Sequence, residues 1–280
     1  MDIVYTQNEV KEKLAVLRNK GLSVGLVPTM GCLHEGHLSL VKEAGKQCDI
    51  TVVSIFVNPT QFNDPEDLKR YPRNLEADIR KLETTSCNLI FAPSVEEMYP
   101  EEDKRVFDFK HIGDIMEGVR RPGHFNGVAQ IVSKLFYVVR PEKAFFGLKD
   151  YQQIAIVKEM NRQLRIDTEI IACPIVREKS GLALSSRNLL LDSTHKEAAP
   201  HIYETLKRAG RQTATMSPKE LKSWIQATID ADPYLETEYV EIVNFDSLET
   251  VNSWNEPGEK IICIAVYAGK IRLIDNFIIK

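Results

Sequence analysis

The sequence predicts an α/β fold, a doubly wound parallel sheet followed by a smaller C-terminal α+β domain. Three observations carry that expectation. Ile50-Thr51-Val52-Val53-Ser54-Ile55-Phe56-Val57 is a β-branched, apolar run without polar alternation, the pattern of a strand covered on both faces. Short apolar runs and helical-period stretches alternate as far as about Val176, which favours right-handed strand–helix–strand crossovers. Beyond that point strand-like runs follow one another directly, as in an antiparallel sheet.

The elements follow in order. Thr6 and Glu9 form a T-x-x-E capping box, and Val10, Leu14 and Leu17 recur at helical spacing up to Gly21. Val24–Val27 is a short buried strand bounded by Pro28, and Leu38, Val41 and Ala44 share the face of the next helix, which ends near Gly45. After the strand at Ile50–Val57 come a helix around Asn74–Leu82 and the strand Leu89–Ala92. A helix across Val128–Val138 precedes the strand Ala144–Phe146, and a helix near Tyr151–Leu164 leads to a strand at Thr168–Ala172. In the second domain Ser217-Pro218-Lys219-Glu220 opens a helix with an N-cap, a first-turn proline and a capping box. Tyr239–Val243, Ile261–Tyr267 and Ile271–Phe277 are strands, the last two joined by Ala268-Gly269-Lys270.

Composition limits the function classes. At 280 residues, with 43% hydrophobic and 27% charged residues, the chain suits a soluble enzyme of one large or two unequal domains. A net charge of −4 argues against a general nucleic-acid binder. No apolar run approaches the ~18 residues of a membrane span, and the start Met1-Asp2-Ile3-Val4-Tyr5 is unlike a signal peptide. Five scattered cysteines, an odd count without a C-x-x-C pair, read as reduced thiols in the cytoplasm.

Four segments at strand ends or at the domain junction carry chemistry. The first is Pro28-Thr29-Met30-Gly31-Cys32-Leu33-His34-Glu35-Gly36-His37, between a strand and a helix. Gly31 allows a tight turn, and helix N-terminal amides favour an anion such as phosphate. His34 and His37, three apart, face the same side and can donate to charge developing on phosphorus. The pair could instead begin a metal site, though no third ligand follows at motif spacing, or be ordinary helix-start residues. A G-x-G-x-x-G dinucleotide fingerprint is absent, because Gly25, Gly31 and Gly36 do not fit its spacing.

The second segment is Gly181-Leu182-Ala183-Leu184-Ser185-Ser186-Arg187-Asn188, whose hydroxyls and guanidinium suit phosphate oxygens or, alternatively, an interdomain turn. The third is Phe146-Gly147-Leu148-Lys149-Asp150-Tyr151-Gln152-Gln153. Here Lys149 is a candidate charge for a phosphate, and Asp150 a helix cap or a ligand for ribose or magnesium-bound water. The fourth is Asn58-Pro59-Thr60-Gln61-Phe62, where Asn58 and Gln61 could read the oxygens of a small polar substrate, or simply form an Asn-Pro turn. His111-Ile112-Gly113-Asp114 reads as an ordinary helix start. Arg120 through Gly127 reads as a basic turn serving as cap and interface or, alternatively, as a lid near phosphate.

Together and in this order, P-T-M-G-x-L-H-E-G-H, N-P-x-Q-F, G-x-K-D-Y-Q-Q and G-L-A-x-S-S-R-N resemble the pantothenate synthetase (pantoate–β-alanine ligase) family. The motif around the histidines alone would mark only the wider nucleotidylyltransferase superfamily. The resemblance implies a Rossmann-like domain at 1–176 that binds ATP and pantoate, a lid domain at 177–280, and a homodimer. It implies ATP contacts from Met30, Gly31, Cys32, Leu33, His34, Glu35, Gly36 and His37, with His37, His34, Lys149 and Arg187 as the catalytic groups. Gly147, Leu148, Lys149 and Asp150 would add contacts, Lys149 on the phosphates. Val176 would touch the adenine, and Leu184, Ser185, Ser186 and Arg187 would close over the triphosphate. Gln61, Gln153 and Asn58 would hold pantoate and β-alanine.

The sequence departs from the family pattern at Cys32, Leu148 and Ser180, none of them assigned to the chemistry. The implied reaction adenylates pantoate with ATP and Mg2+, then transfers the pantoyl group to β-alanine. The alternatives are a nucleotidylyltransferase acting on another small substrate, and a nucleotide sensor without turnover. No nucleic-acid or membrane partner is expected.

Overall fold

The computed structural model describes residues 1–279. Its contacts divide the chain into two compact units, Met1–Pro174 and Ile175–Lys280. The first unit contains β1 (Asp2–Val4), α1 (Gln7–Arg18), β2 (Val24–Thr29), α2 (Glu35–Gln47), β3 (Ile50–Ile55), α3 (Pro65–Arg70) and α4 (Leu75–Leu82). It continues with β4 (Leu89–Phe91), α5 (Val95–Met98), α6 (Glu117–Arg120), α7 (His124–Val139), β5 (Lys143–Gly147), α8 (Tyr151–Leu164) and β6 (Glu169–Cys173). The strands form one sheet in the order β1-β4-β3-β2-β5-β6, and every pairing is parallel.

Period-two alternation explains how helices cover both faces of this sheet. Leu26, Val52 and Phe146 point into a core shared with Leu14 of α1, Phe136 of α7 and Val157 of α8. Their neighbours Val27, Val53 and Phe145 point the other way, against Leu40, Val41 and Ala44 of α2. Cys48, Cys87 and Cys173 are buried on this second face. The chain leaves β2 towards β3 and β4, then returns on the other side of β2 as β5 and β6. The direction of winding therefore switches between β2 and β5, where an open sheet leaves a crevice at its carboxyl edge.

Pro28 lies inside β2, where the sequence led us to expect a boundary. The parallel ladder explains this. The Thr29 carbonyl accepts the Phe56 N–H from the β3 side, whereas the Val24 carbonyl accepts Glu142 N–H from the β5 side. By alternation Pro28 faces β5, and the β2–β5 pairing extends only to Leu26. The missing N–H of proline therefore falls where the two strands have already parted.

Other boundaries also differ. β1 was not expected; three residues on an edge carry no measurable period. α7 starts at His124, ahead of the expected Val128, because Gly123 at φ 80° releases the chain into a new helix. The stretch read as a basic turn is thus divided between the end of α6 and the first turn of α7.

The second unit contains α9 (Ser193–Ala198), α10 (Pro200–Ala209), α11 (Pro218–Asp230), β7 (Leu235–Asn244), β8 (Lys260–Ala268) and β9 (Ile271–Ile279). The strands make an antiparallel meander in the order β7-β8-β9. Ile262, Ile264 and Val266 of β8 share a core with Leu206 of α10 and with Leu221 and Ile225 of α11. Ser217 accepts the Glu220 N–H and Glu220 bonds back, so the capping box at the start of α11 is complete. β7 begins earlier than expected, at Leu235, because its first residues alternate in burial with outward Glu236, and a register shift at Thr237/Tyr239 interrupts the apolar pattern.

Candidate active site

The first unit gathers its candidate residues around the crevice between β2 and β5. β2 ends in a turn in which Gly31 (φ 79°) and Cys32 (φ 52°) are both left-handed. A side chain at Gly31 would place its Cβ 3.0 Å from Asp78 Oδ2 and 3.1 Å from Ile55 Cγ2, so only glycine fits without displacement. The amides of Cys32 and Leu33 donate to Asp78 of α4 at 2.8 and 2.7 Å. Lys81, one turn further along α4, donates its Nζ to the Leu33 carbonyl.

His34 occupies the N-cap of α2 with an extended backbone. Its Nδ1 accepts the Gly36 N–H at 3.2 Å, and His37 Nδ1 accepts the His34 N–H at 3.3 Å. The ring centroids lie 4.1 Å apart. An imidazole that accepts at Nδ1 carries its proton at Nε2 when neutral, so each ring presents an Nε2–H donor. Electrostatics keeps both neutral. Burial, followed by the positive charges of Lys149 and Lys81, lowers His34 to about 4, with Asp150 opposing. Burial, His34, Lys149 and Lys81 lower His37 to about 3.

The backbone amides of this turn face inward. The N–H groups of Cys32, Leu33, His34 and Gly36 already have acceptors within the protein. The two imidazoles add their Nε2–H donors beside these amides. Leu33 is 1% exposed, and its N–H and carbonyl are both engaged within the protein. Met30 is half-buried at the start of the turn, and Glu35 is exposed in the first turn of α2, where a carboxylate complements the helix dipole.

At the end of β5, Gly147 leads into a short 3-10 turn, Leu148–Asp150. Lys149 is close enough to lower the pKa of both imidazoles, and its Nζ lies 3.4 Å from Asp150 Oδ1. Leu148 packs its side chain against the core, so its contribution to a ligand is limited to backbone. Asp150 stands at the N-cap position of α8 without a side-chain capping bond, so of its alternative roles the cap is the one it does not fill.

Gln61 joins this group directly, since its Nε2 donates to Met30 Sδ at 3.1 Å. Asn58 is tied into the protein. Its amide donates to Gln61 Oε1 at 3.1 Å and to the Gly127 carbonyl at 3.0 Å. Its Oδ1 accepts from Tyr99 Oη at 2.8 Å and Thr60 Oγ1 at 3.2 Å. With both donors and both lone pairs engaged, Asn58 orients Gln61. His124 fixes the same loop through Nδ1, 2.8 Å from the Gln61 carbonyl. Gln153 lies half-buried in the first turn of α8, next to Gln152, whose buried amide bonds the Ile112 and Ile115 carbonyls.

The remaining expected residues belong to the second unit. The Val176 carbonyl accepts the Leu184 N–H, and Arg177 bridges Ala183, so this stretch is a short hairpin with Gly181 near its tip. Ser185 accepts the Arg187 N–H at 3.3 Å and opens the 3-10 turn Ser186–Leu190. Arg177 braces the hairpin with a two-pronged bond to Asp275 at 2.6 and 2.8 Å, and its guanidinium lies 3.6 Å over the Tyr203 ring.

Sequence reasoning missed Asp78, Lys81, Tyr99 and His124. The available signal was the Asp78/Lys81 pair at i and i+3 on a recognised helix, which looks like ordinary surface charge. Among the described residues, no group of three or more His, Cys, Asp or Glu is placed to hold a metal ion.

A Rossmann-like sheet whose switch point opens onto two imidazole donors and a lysine defines an α/β protein suited to a polyphosphate ligand. Comparison with known proteins narrows that class. The family model for pantoate-beta-alanine ligase matches residues 2–278. The chain is 51% identical to the pantothenate synthetase of Bacteroides fragilis strain YCH46 over 276 residues, covering 99% of this chain and 98% of that protein. It is similar to the crystal structure of the Thermus thermophilus pantothenate synthetase, with TM-score 0.90, 40% identity and 99% of each chain covered. It is also similar to the pantoate-beta-alanine ligase of Francisella tularensis, whose crystal structure is complexed with beta-gamma ATP and beta-alanine. There the TM-score is 0.81 and the identity 38%, over 99% of this chain and 97% of that one. The chain belongs to the pantoate-beta-alanine ligase family.

Proposed function

We propose that this chain performs its family's ATP-dependent ligation of pantoate to β-alanine through a pantoyl-adenylate intermediate. One observation carries the reading: the neutral His34–His37 pair lies within electrostatic reach of Lys149 and shares the β2 turn with Met30, which Gln61 touches. ATP enters as its Mg2+ complex. The pantoate carboxylate, already deprotonated near neutral pH, attacks the α-phosphorus, and pyrophosphate leaves with the bond electrons. The neutral amine of β-alanine then attacks the acyl carbon, the C–O bond to phosphate breaks, AMP departs, and the nitrogen loses its proton.

The first step requires no protein base. It requires positioning and donors aimed at charge that grows on the phosphate oxygens, which is what paired Nε2–H groups and a lysine supply. His34, His37, Lys149 and Arg187 would act there, and Gln61 and Gln153, with Asn58 behind Gln61, would hold pantoate and β-alanine. Met30, Gly31 and Cys32 would line the nucleotide from the β2 turn, with Glu35 and Gly36 at the start of α2. Gly147 through Asp150 would line it from β5. The first unit would carry both substrates, and Val176 and Leu184 through Arg187 would be the further nucleotide contacts that the family resemblance implies. The proposal includes a homodimer working in the cytoplasm. No helix among the described residues is long and apolar enough to cross a membrane.

A pyrophosphate-release assay tests the scheme. With ATP and pantoate alone, one turnover of pyrophosphate should appear with the adenylate retained, and AMP should appear only when β-alanine is added. Failure to release pyrophosphate, or AMP formation indifferent to the amine, would defeat it.

A further inference from the structure

The two imidazoles supply donors, but their own hydrogen bonds are long, at 3.2 and 3.3 Å, and run within the very turn that must be held. What holds that turn comes from elsewhere in the chain. Asp78 is 2% exposed, a depth at which a carboxylate requires strong partners. Among the described residues its hydrogen-bond partners are the consecutive N–H groups of Cys32 and Leu33, one on each oxygen. Lys81 secures the other side of Leu33 by donating to its carbonyl. Between them, α4 grips both polar groups of the residue immediately before His34, and Cys32 is held in its left-handed conformation.

We infer that Asp78 is a positioning residue for the reaction: its carboxylate fixes the turn that sets the direction of the His34 and His37 Nε2–H donors. The inference rests on the function proposed above. Asp78 touches no substrate and acts through Cys32 and Leu33. Its two oxygens match two adjacent amides, so an asparagine of the same shape cannot replace it. The Asn NH2 would confront one of those N–H groups, donor against donor, and that peptide would have to rotate away.

The test combines kinetics with the protonation pattern of the rings. In D78N the kcat for pyrophosphate release should fall about tenfold to a hundredfold, the scale of a small misplacement of reacting groups. The KM for β-alanine, used only in the second step, should stay within about threefold. Nitrogen-15 NMR of the ligand-free protein should show His34 and His37 protonated at Nε2 only in the wild type, and as mixed tautomers in D78N. The charged groups facing the rings, Lys149, Lys81 and Asp150, are unchanged in D78N, so the tautomer reports geometry. A folded D78N with wild-type kcat, or with both rings still Nε2-protonated, overturns the inference. Should D78N fail to fold, D78E takes its place, since it keeps the charge and Lys81 but displaces the two oxygens from the Cys32 and Leu33 amides; mixed tautomers support the inference while unchanged ones overturn it. If the wild type itself releases no pyrophosphate from ATP and pantoate, the proposed reaction fails, and the tautomers still decide what Asp78 does.

Discussion

Acidification should destabilise this protein through buried histidines, and His124 gives the effect a measurable size. The ring is 6% exposed, and its Nδ1 is bound to the Gln61 carbonyl. Burial, reinforced by the charge of Arg121, lowers its pKa from 6.5 to about 4. Between those values the unfolded chain binds a proton that the folded chain refuses. Stability is therefore intact above 6.5, declines as the pH falls towards about 4, and loses nothing further from this residue below that. At pH 5, about one and a half pH units below the unfolded value, the loss is on the order of 2 kcal/mol. His124→Gln removes the titration while keeping a donor for the Gln61 carbonyl. Its cost in urea unfolding, followed by circular dichroism, should therefore be about 2 kcal/mol smaller at pH 5 than at about pH 7.5. Equal costs at the two pH values would refute the reasoning, because the ring would then titrate alike in both states.

Two further outcomes follow from the site. His37→Ala should slow pyrophosphate release about a hundredfold to a thousandfold while the Kd for ATP changes about threefold or less, since its donor acts mainly on charge that develops during reaction; a parallel loss in both would contradict that role. Gly127→Ala would place a Cβ 2.4 Å from the Thr60 carbonyl oxygen and 2.6 Å from its carbon, backbone that cannot rotate aside. A cost of about 1–3 kcal/mol is expected in thermal melts, with a raised KM for pantoate as the Gln61 loop shifts. A variant unchanged in both would show that the close approach is dispensable.

The sheet was legible because its strands announce themselves. Val52 and Val53 can both be apolar only where helices cover both faces, and that run alone pointed to the right class of fold. β1 was not legible, since Asp2-Ile3-Val4 is too short to show a period. The first turn of α7 was hidden because His124, Asn126 and Gly127 break the helical apolar pattern, although all three are used: the ring on Gln61, the amide on the Phe107 N–H, and the glycine against Thr60. Residue types at strand ends pointed to one region of the fold, but not to what each group does within it. Asn58 and Gln61 look equivalent in sequence, yet one orients the other. Asp78 resembled a solvent-facing charge among Arg80 and Lys81, and only the fold shows that it points inward.

The wiring of Gln61 bears on which analogues the pocket would accept. Free glutamine amides flip, and so can present either a donor or an acceptor. Here Oε1 is pinned by Asn58, itself held by the Tyr99 hydroxyl, leaving the NH2 end turned towards Met30. A pocket with such a one-way amide favours guests that offer lone pairs and turns away those that offer hydrogens. Pantoyl amide, similar in size to the acid, should therefore compete poorly in a titration against pantoate. Equal inhibition by acid and amide would mean that the glutamine turns over after all.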